Sequence, residues 1–150
     1  MNIEDFLKPE CTLKGLDSTS VKRLFESIAD TIALPFPEMD SETLFDRLTE
    51  RERIGSTGLG EGVALPHCRL PDCTHPIGAL FTLVEPIEFD SIDQKPVDLV
   101  FVLIVPEAAV DEHLQLLKAI AENFGNADYR DRLRQAVNDS DLYETAVAGI

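Results

Sequence analysis

The chain has 150 residues, with 13 Lys plus Arg against 28 Asp plus Glu, a formal charge of −15 at pH 7. This length predicts one domain over residues 1–150 with a core that needs no staples, and 44% apolar with 27% charged residues is ordinary for a globular protein. The acidic excess repels phosphate backbones and anionic lipid, which excludes general nucleic-acid or membrane binding and leaves a basic protein partner open.

Other classes are excluded by local patterns. The longest aliphatic run, Leu99–Val105, is far below the ~20 residues of a membrane helix, so no membrane insertion is expected. Met1–Glu10 has no basic stretch followed by an apolar one, so no secretory signal is expected. Cys11, Cys68 and Cys73 form an odd set without framework spacing, which points to the cytoplasm.

In chain order, Asp17-Ser18-Thr19 offers cap oxygens to a first helix. Its apolar face is Val21, Leu24, Phe25, Ile28 and Ile32, and Pro35 and Pro37 stop it. A second helix begins after Asp40 with Leu44, Phe45 and Leu48 on one face. It runs into residues 55–62, four of which are glycine. Val63–His67 reads as a short strand. Ile77–Val84 and Val97–Val105 read as buried strands, with a more exposed strand at Ile87 and Phe89 between them. After Asp111 comes a helix with Leu114, Leu117, Ile120, Ala121 and Phe124 on one face. Two shorter helices carry Tyr129, Leu133 and Val137, then Leu142, Ala146 and Val147. Helices at both ends and strands in the middle predict an α/β (α+β mixed) domain, a mixed β-sheet of about five strands flanked by helices.

The glycine stretch is not a Walker A loop, because no Gly-Lys-Ser/Thr ends it. Nor is it a dinucleotide fingerprint, because it follows a helix and precedes a strand. It reads either as a flexible connector or as an anion cradle in which Ser56 and Thr57 add hydroxyl donors to the amides. His67 closes the strand that this loop feeds. A neutral imidazole with one nitrogen held by a hydrogen bond is a competent nucleophile.

His113 falls in the first turn of its helix, which disfavours an imidazolium and favours a bound anion. It serves either a phosphoryl oxygen or a loop carbonyl. Arg51 and Arg53 precede the glycine loop, and arginine grips phosphate in two-pronged fashion. Pairing with Glu50 and Glu52 is the competing reading, preferred for Arg53. His67, Cys68, Cys73 and His75 offer four metal ligands without the paired-cysteine spacing of zinc sites, so neither metal nor cofactor is expected. A Cys68 nucleophile with a histidine base lacks a visible orienting group. His75 reads as an exposed loop residue.

The string Arg51-Glu52-Arg53-Ile54-Gly55-Ser56-Thr57-Gly58-Leu59-Gly60-Glu61-Gly62-Val63-Ala64-Leu65-Pro66-His67 strongly resembles the signature of type-2 IIA domains of the bacterial phosphoenolpyruvate-dependent phosphotransferase system. The likeness continues through Glu85–Asp90, Pro96–Phe101, Val105-Pro106 and His113-Leu114-Gln115. It implies a mixed sheet flanked by helices. It also implies a phosphotransferase-type phosphocarrier with a phosphohistidine intermediate, in which His67 accepts phosphate from the histidine of an HPr-type phosphocarrier. It carries a phosphate-stabilising role to His113 and places Arg51, rather than Arg53, at the site. The family usually has glycine after the active histidine, where this chain has Cys68.

Ile3–Leu7, Cys11 and a length without room for further transport domains look like the nitrogen-regulatory branch, which acts on regulatory target proteins. The alternatives are a fructose- or mannitol-type IIA component passing phosphate to a IIB cysteine, and a purely stoichiometric binding regulator. Nothing in the pattern selects an oligomeric state. In the phosphocarrier reading, loop amides with Ser56 and Thr57 hold the phosphoryl oxygens, His113 and Arg51 neutralise charge, and the acidic excess steers a less acidic or basic donor.

Overall fold

The structure, a computed structural model, describes residues 2–108 and 110–149. Its six strands are β1 (Leu7–Leu16), β2 (Gly58–Gly60), β3 (Val63–Ala64), β4 (His67–Leu70), β5 (Ile77–Ile87) and β6 (Val97–Pro106). Its five α-helices are α1 (Val21–Ala33), α2 (Ser41–Ile54), α3 (Val110–Phe124), α4 (Ala127–Arg134) and α5 (Asp139–Ala148). The sheet order is β1-β5-β6-β3-β2, with β4 also paired to β6. β5 and β6 pair antiparallel, whereas β1 on β5 and both β3 and β4 on β6 are parallel.

The β5–β6 pair is the spine because its residues are apolar on both faces. Along β6, Val100, Val102 and Ile104 pack with Leu24, Phe25 and Ile28 of α1 and Leu44 and Leu48 of α2. The alternate residues Leu99, Phe101, Leu103 and Val105 pack with Ile120, Phe124, Tyr129, Leu133 and Leu142 from α3, α4 and α5. A period of two thus sends side chains into two cores, and the domain has three layers. The expected mixed sheet between helices is observed.

Several local expectations are revised. The chain opens on a short 3-10 turn and then β1, not on a helix, which raises the strand count from about five to six. β1 carries Lys8, Pro9, Glu10 and Lys14 on exposed positions and buries only part of its length. Such an edge strand lacks the apolar run that announces β5. The separate strand at Ile87 and Phe89 does not form. Ile87 ends β5, Phe89 lies beyond it, and both are buried. Ser20, not Asp17–Thr19, caps α1 by accepting from the Arg23 N–H. Val137 lies outside α4 and is 76% exposed.

The expected strand at Val63–His67 is split in two, and the split positions the site. β3 aligns with Leu99 and Val100, and β4 aligns with Leu103–Pro106 on the same edge of β6. Pro66 lies between them without an N–H to donate, while its carbonyl accepts from Leu103 at 3.0 Å. The chain therefore kinks and rejoins the sheet at His67.

The second core depends on a buried phenol. Tyr129 is 0% exposed, and its hydroxyl donates to the Ala146 carbonyl at 2.9 Å, joining α4 to α5. Replacing Tyr129 by Phe should lower unfolding free energy by about 0.5–1.5 kcal/mol, the net worth of one hydrogen bond, because the Ala146 carbonyl keeps the Gly149 N–H as a donor. Urea titration of both proteins measures this, and an unchanged midpoint would show that the bond contributes nothing net.

Candidate functional site

His67 is half-buried at the first position of β4. Its Nδ1 lies 2.8 Å from the Leu65 carbonyl oxygen. A carbonyl only accepts, so Nδ1 carries the proton and Nε2 carries the lone pair. Arg51 Nε–H points at that Nε2 from 3.3 Å, and Arg51 Nη1 donates to the Gly55 carbonyl at 2.8 Å. Burial first, and then the Arg51 and Arg69 cations, holds the imidazole below its ordinary value of 6.5, against opposing pulls from the Leu65 carbonyl and Glu52. The ring thus favours its neutral form, with the unprotonated Nε2 facing Arg51.

His67 opens into a cleft of ≈ 500 Å³ between the C-terminal half of α2 and the first turns of α3. Arg47, Glu50, Arg51, Arg69, His113 and Leu114 are among its lining residues. The structure therefore brings Arg51, His67 and His113 together. His113 is 4% exposed, and its Nδ1 has no hydrogen-bond partner. Burial, with Arg69 nearby, also holds its imidazole below the ordinary value. A buried polar atom without a partner is uncommon and needs a reason. Here it belongs to a residue that lines the same cleft as His67. Packing in α3 differs from the expected face, because His113 is buried while Leu114 is 57% exposed at the cleft.

Ser56 and Thr57 do not line this cleft. Ser56 Oγ donates to the Phe89 carbonyl and accepts from Gly58 N–H. Thr57 gives both its amide and its hydroxyl to the two oxygens of Glu52, at 2.9 and 2.6 Å. The Glu61 amide is given to Asp93 at 2.8 Å. These donors are engaged within the protein, so their hydrogen bonds do not support the expected cradle of Ser56, Thr57 and loop amides. The loop acts instead as a brace for β3. Glycine at 62 is required there, with φ +77 and a position where a Cβ would sit 2.6 Å from Arg134 Nη2 and 2.9 Å from Asp98 Oδ1.

The sequence-family comparison matches residues 5–146 to the "Phosphoenolpyruvate-dependent sugar phosphotransferase system, EIIA 2" family. The chain belongs to this EIIA type-2 family. A nitrogen regulatory protein of Pseudomonas aeruginosa is 48% identical over 98% of this chain and 96% of its own. A nitrogen regulatory protein of Escherichia coli K12 is 35% identical over 96% of this chain and 88% of its own. The crystal structure of nitrogen regulatory protein IIA-Ntr from Neisseria meningitidis superposes with TM-score 0.86 at 35% identity, over 96% and 98% of the two chains. Mannitol IIA from E. coli superposes with TM-score 0.75 at 15% identity, over 93% of this chain and 97% of that one, which shows the shared fold.

Of the remaining candidates in this EIIA chain, Arg53 lies away from the cleft, in surface depressions lined by Val21 and Glu52. Cys68 borders the His67 cleft but packs in the α1–α2 core, and burial pushes its thiol up to about 12, which suits a protonated packing residue. Cys73 Sγ donates to the His75 carbonyl. Among the described residues no group of three or more His, Cys, Asp or Glu is placed to hold a metal ion, and no helix is long and apolar enough to cross a membrane. Sequence reading missed Arg47 and Arg69. The spacing signal was present, since Arg47 is one helical turn before Arg51 and Arg69 is two strand residues after His67.

Histidine-ring NMR should find the Nδ1–H tautomer of His67 at pH 7 and a titration midpoint below 6.5, which Arg51→Gln should move upward. Because folding lowers this pKa, the unfolded chain binds more protons in that range, and His67 costs stability as pH falls below the ordinary value. A wild-type midpoint at or above 6.5 would contradict the geometry.

Proposed function

We propose that the protein is a phosphoryl carrier whose His67 Nε2 accepts phosphate from an HPr-type histidine phosphocarrier, and that its phosphorylation state regulates target proteins. One observation carries this reading: the Leu65 carbonyl fixes the Nδ1 proton and leaves Nε2 as the free nitrogen beside Arg51 in the cleft. The EIIA type-2 match supports phosphotransfer through histidine. The 48% identical relative named as a nitrogen regulatory protein supports the regulatory branch.

In the proposed step the Nε2 lone pair attacks phosphorus in line. The bond from phosphorus to the donor's histidine nitrogen breaks, and its electron pair returns to that nitrogen. Nδ1 keeps its proton throughout, because the Leu65 carbonyl stabilises the positive charge that the ring gains. Arg51 turns from Nε2 to the transferring oxygens. His113, which lines the same cleft, contributes its imidazole as a hydrogen-bonding group to the same oxygens. Charge stabilisation and positioning supply the catalysis, as in other phosphoryl transfers. Ser56 and Thr57 act one step back, by bracing the segment that delivers His67.

The test is incubation with phosphoenolpyruvate, the first enzyme of the cascade and its phosphocarrier, followed by mass-spectrometric site mapping. Acid-labile phosphate should appear on His67 and be absent in His67→Ala. Arg51→Gln should slow labelling by about 10²–10³-fold, the usual cost of removing one charge-stabilising donor. An unlabelled wild type, under conditions that phosphorylate the carrier, rejects the reading.

A further inference from the structure

Arg51 and Glu52 are neighbours on the last turn of α2, and successive helix residues point about 100° apart. Arg51 turns to the cleft and meets Nε2 of His67. Glu52 turns instead to the glycine loop. Its Oε2 accepts the Thr57 amide at 2.9 Å, and its Oε1 accepts the Thr57 hydroxyl at 2.6 Å. Among the described residues no cation forms an ion pair with Glu52.

The path of bonds continues past Thr57. The Thr57 carbonyl accepts the Leu65 N–H at 3.0 Å, which adds a rung to the β2–β3 hairpin beyond the Gly58–Ala64 pair. The Leu65 carbonyl in turn accepts the His67 Nδ1–H at 2.8 Å. A connected path thus runs from a carboxylate on α2, through Thr57 and Leu65, to the far nitrogen of the ring. Adjacent residues of one helix hold the two nitrogens of one imidazole. Arg51 does so directly, and Glu52 does so through the hairpin.

Two features make this path firm. Hydrogen bonds to a carboxylate are stronger than neutral ones. Thr57 and Leu65 are each 4% exposed, so water does not replace a lost partner, and an unmade bond carries the desolvation penalty of its donor. The Glu52 charge also reaches the ring through space. It pulls the His67 pKa upward, against burial and the arginines, so it favours the positive charge that the ring gains during transfer.

We propose that Glu52 is the positioning residue of the phosphoacceptor: through Thr57 and Leu65 it holds the carbonyl that keeps the His67 proton on Nδ1. The proposal rests on His67 being the phosphoacceptor and adds the side chain that fixes its reactive tautomer. A neutral imidazole without such a partner is free to carry its proton on either nitrogen.

Two readouts test this on the full chain. One is ring-nitrogen NMR of His67 above its titration midpoint. The other is the rate of His67 labelling by phosphoramidate, a small donor with no docking surface. Wild type should show the Nδ1–H tautomer. Glu52→Ala should show a mixture with the Nε2–H form, and its labelling should slow at least about tenfold, since misplacing a reacting group by ~1 Å can cost ~10²-fold. Glu52→Gln should restore the single tautomer and most of the rate. Its amide oxygen accepts the Thr57 N–H, and its NH2 donates to the Thr57 hydroxyl, which both donates and accepts. Thr57→Val keeps the amide bond to Glu52 without the hydroxyl one, and should fall between wild type and Glu52→Ala on both readouts.

A folded Glu52→Ala with the wild-type tautomer overturns the proposal, because the brace then supports the fold alone. A tautomer mixture in Glu52→Gln equal to that in Glu52→Ala overturns it too, since the bonds and not the charge are the claim. If Glu52→Ala does not fold, Thr57→Val decides, and a wild-type tautomer there overturns the proposal. The tautomer is read without phosphate, so each of these failures leaves the phosphoacceptor reading standing. A wild type that shows the Nδ1–H tautomer but is labelled by no donor removes that reading, and the proposal with it.

Discussion

The hydrogen bond between His67 Nδ1–H and the Leu65 carbonyl is the constraint around which the site is arranged. It decides which ring nitrogen is free, and therefore which one can act on an incoming group. The bond is possible because the strand is interrupted. Pro66 donates no hydrogen bond, the backbone kinks between β3 and β4, and the Leu65 carbonyl turns to the imidazole. An uninterrupted strand would have directed that carbonyl along the sheet.

The neighbouring elements hold this kink in place. β6 binds β3 below the break and β4 above it. The glycine loop is braced by Glu52, Asp93 and Phe89, and the Gly62 carbonyl receives the amides of Asp98 and Leu99. α2 then brings its final turn alongside, with Arg51 tied to Gly55 and facing His67. α3 supplies His113 from the opposite wall. A compact cationic pocket results on a strongly acidic protein. Burial holds both imidazoles below their ordinary value, which favours the neutral form.

Legibility varied with the physical origin of each signal. The β5–β6 spine and the α1 and α2 faces were readable, because burial on both sides of a strand or along one stripe of a helix imposes an apolar pattern. β1 was not, because an edge strand with Lys8, Pro9 and Glu10 outward carries little of that pattern. At the site, the Leu-Pro-His segment and its glycine loop were legible as a resemblance, and Arg51 was preferred over Arg53. The loop's inner workings were not. Ser56 and Thr57 have the right chemistry for holding phosphate, but Glu52 and the Phe89 carbonyl occupy their donors. Arg69 was overlooked because a single exposed cation on a short strand looks like ordinary surface.

The sequence by itself determined the fold class, the family and the residue most worth testing, because apolar periodicity and a specific contiguous motif are one-dimensional properties. Net charge was equally plain in it, but only as a sum. Tertiary structure decided the tautomer of His67, the burial of His113 with an unpartnered Nδ1, and the convergence of Arg47, Arg51 and Arg69 on one cleft. Those properties depend on distances between α2, β4 and α3. Electrostatic and hydrogen-bonding energies follow distance and burial rather than order along the chain, so an acidic sequence can fold around a locally positive site.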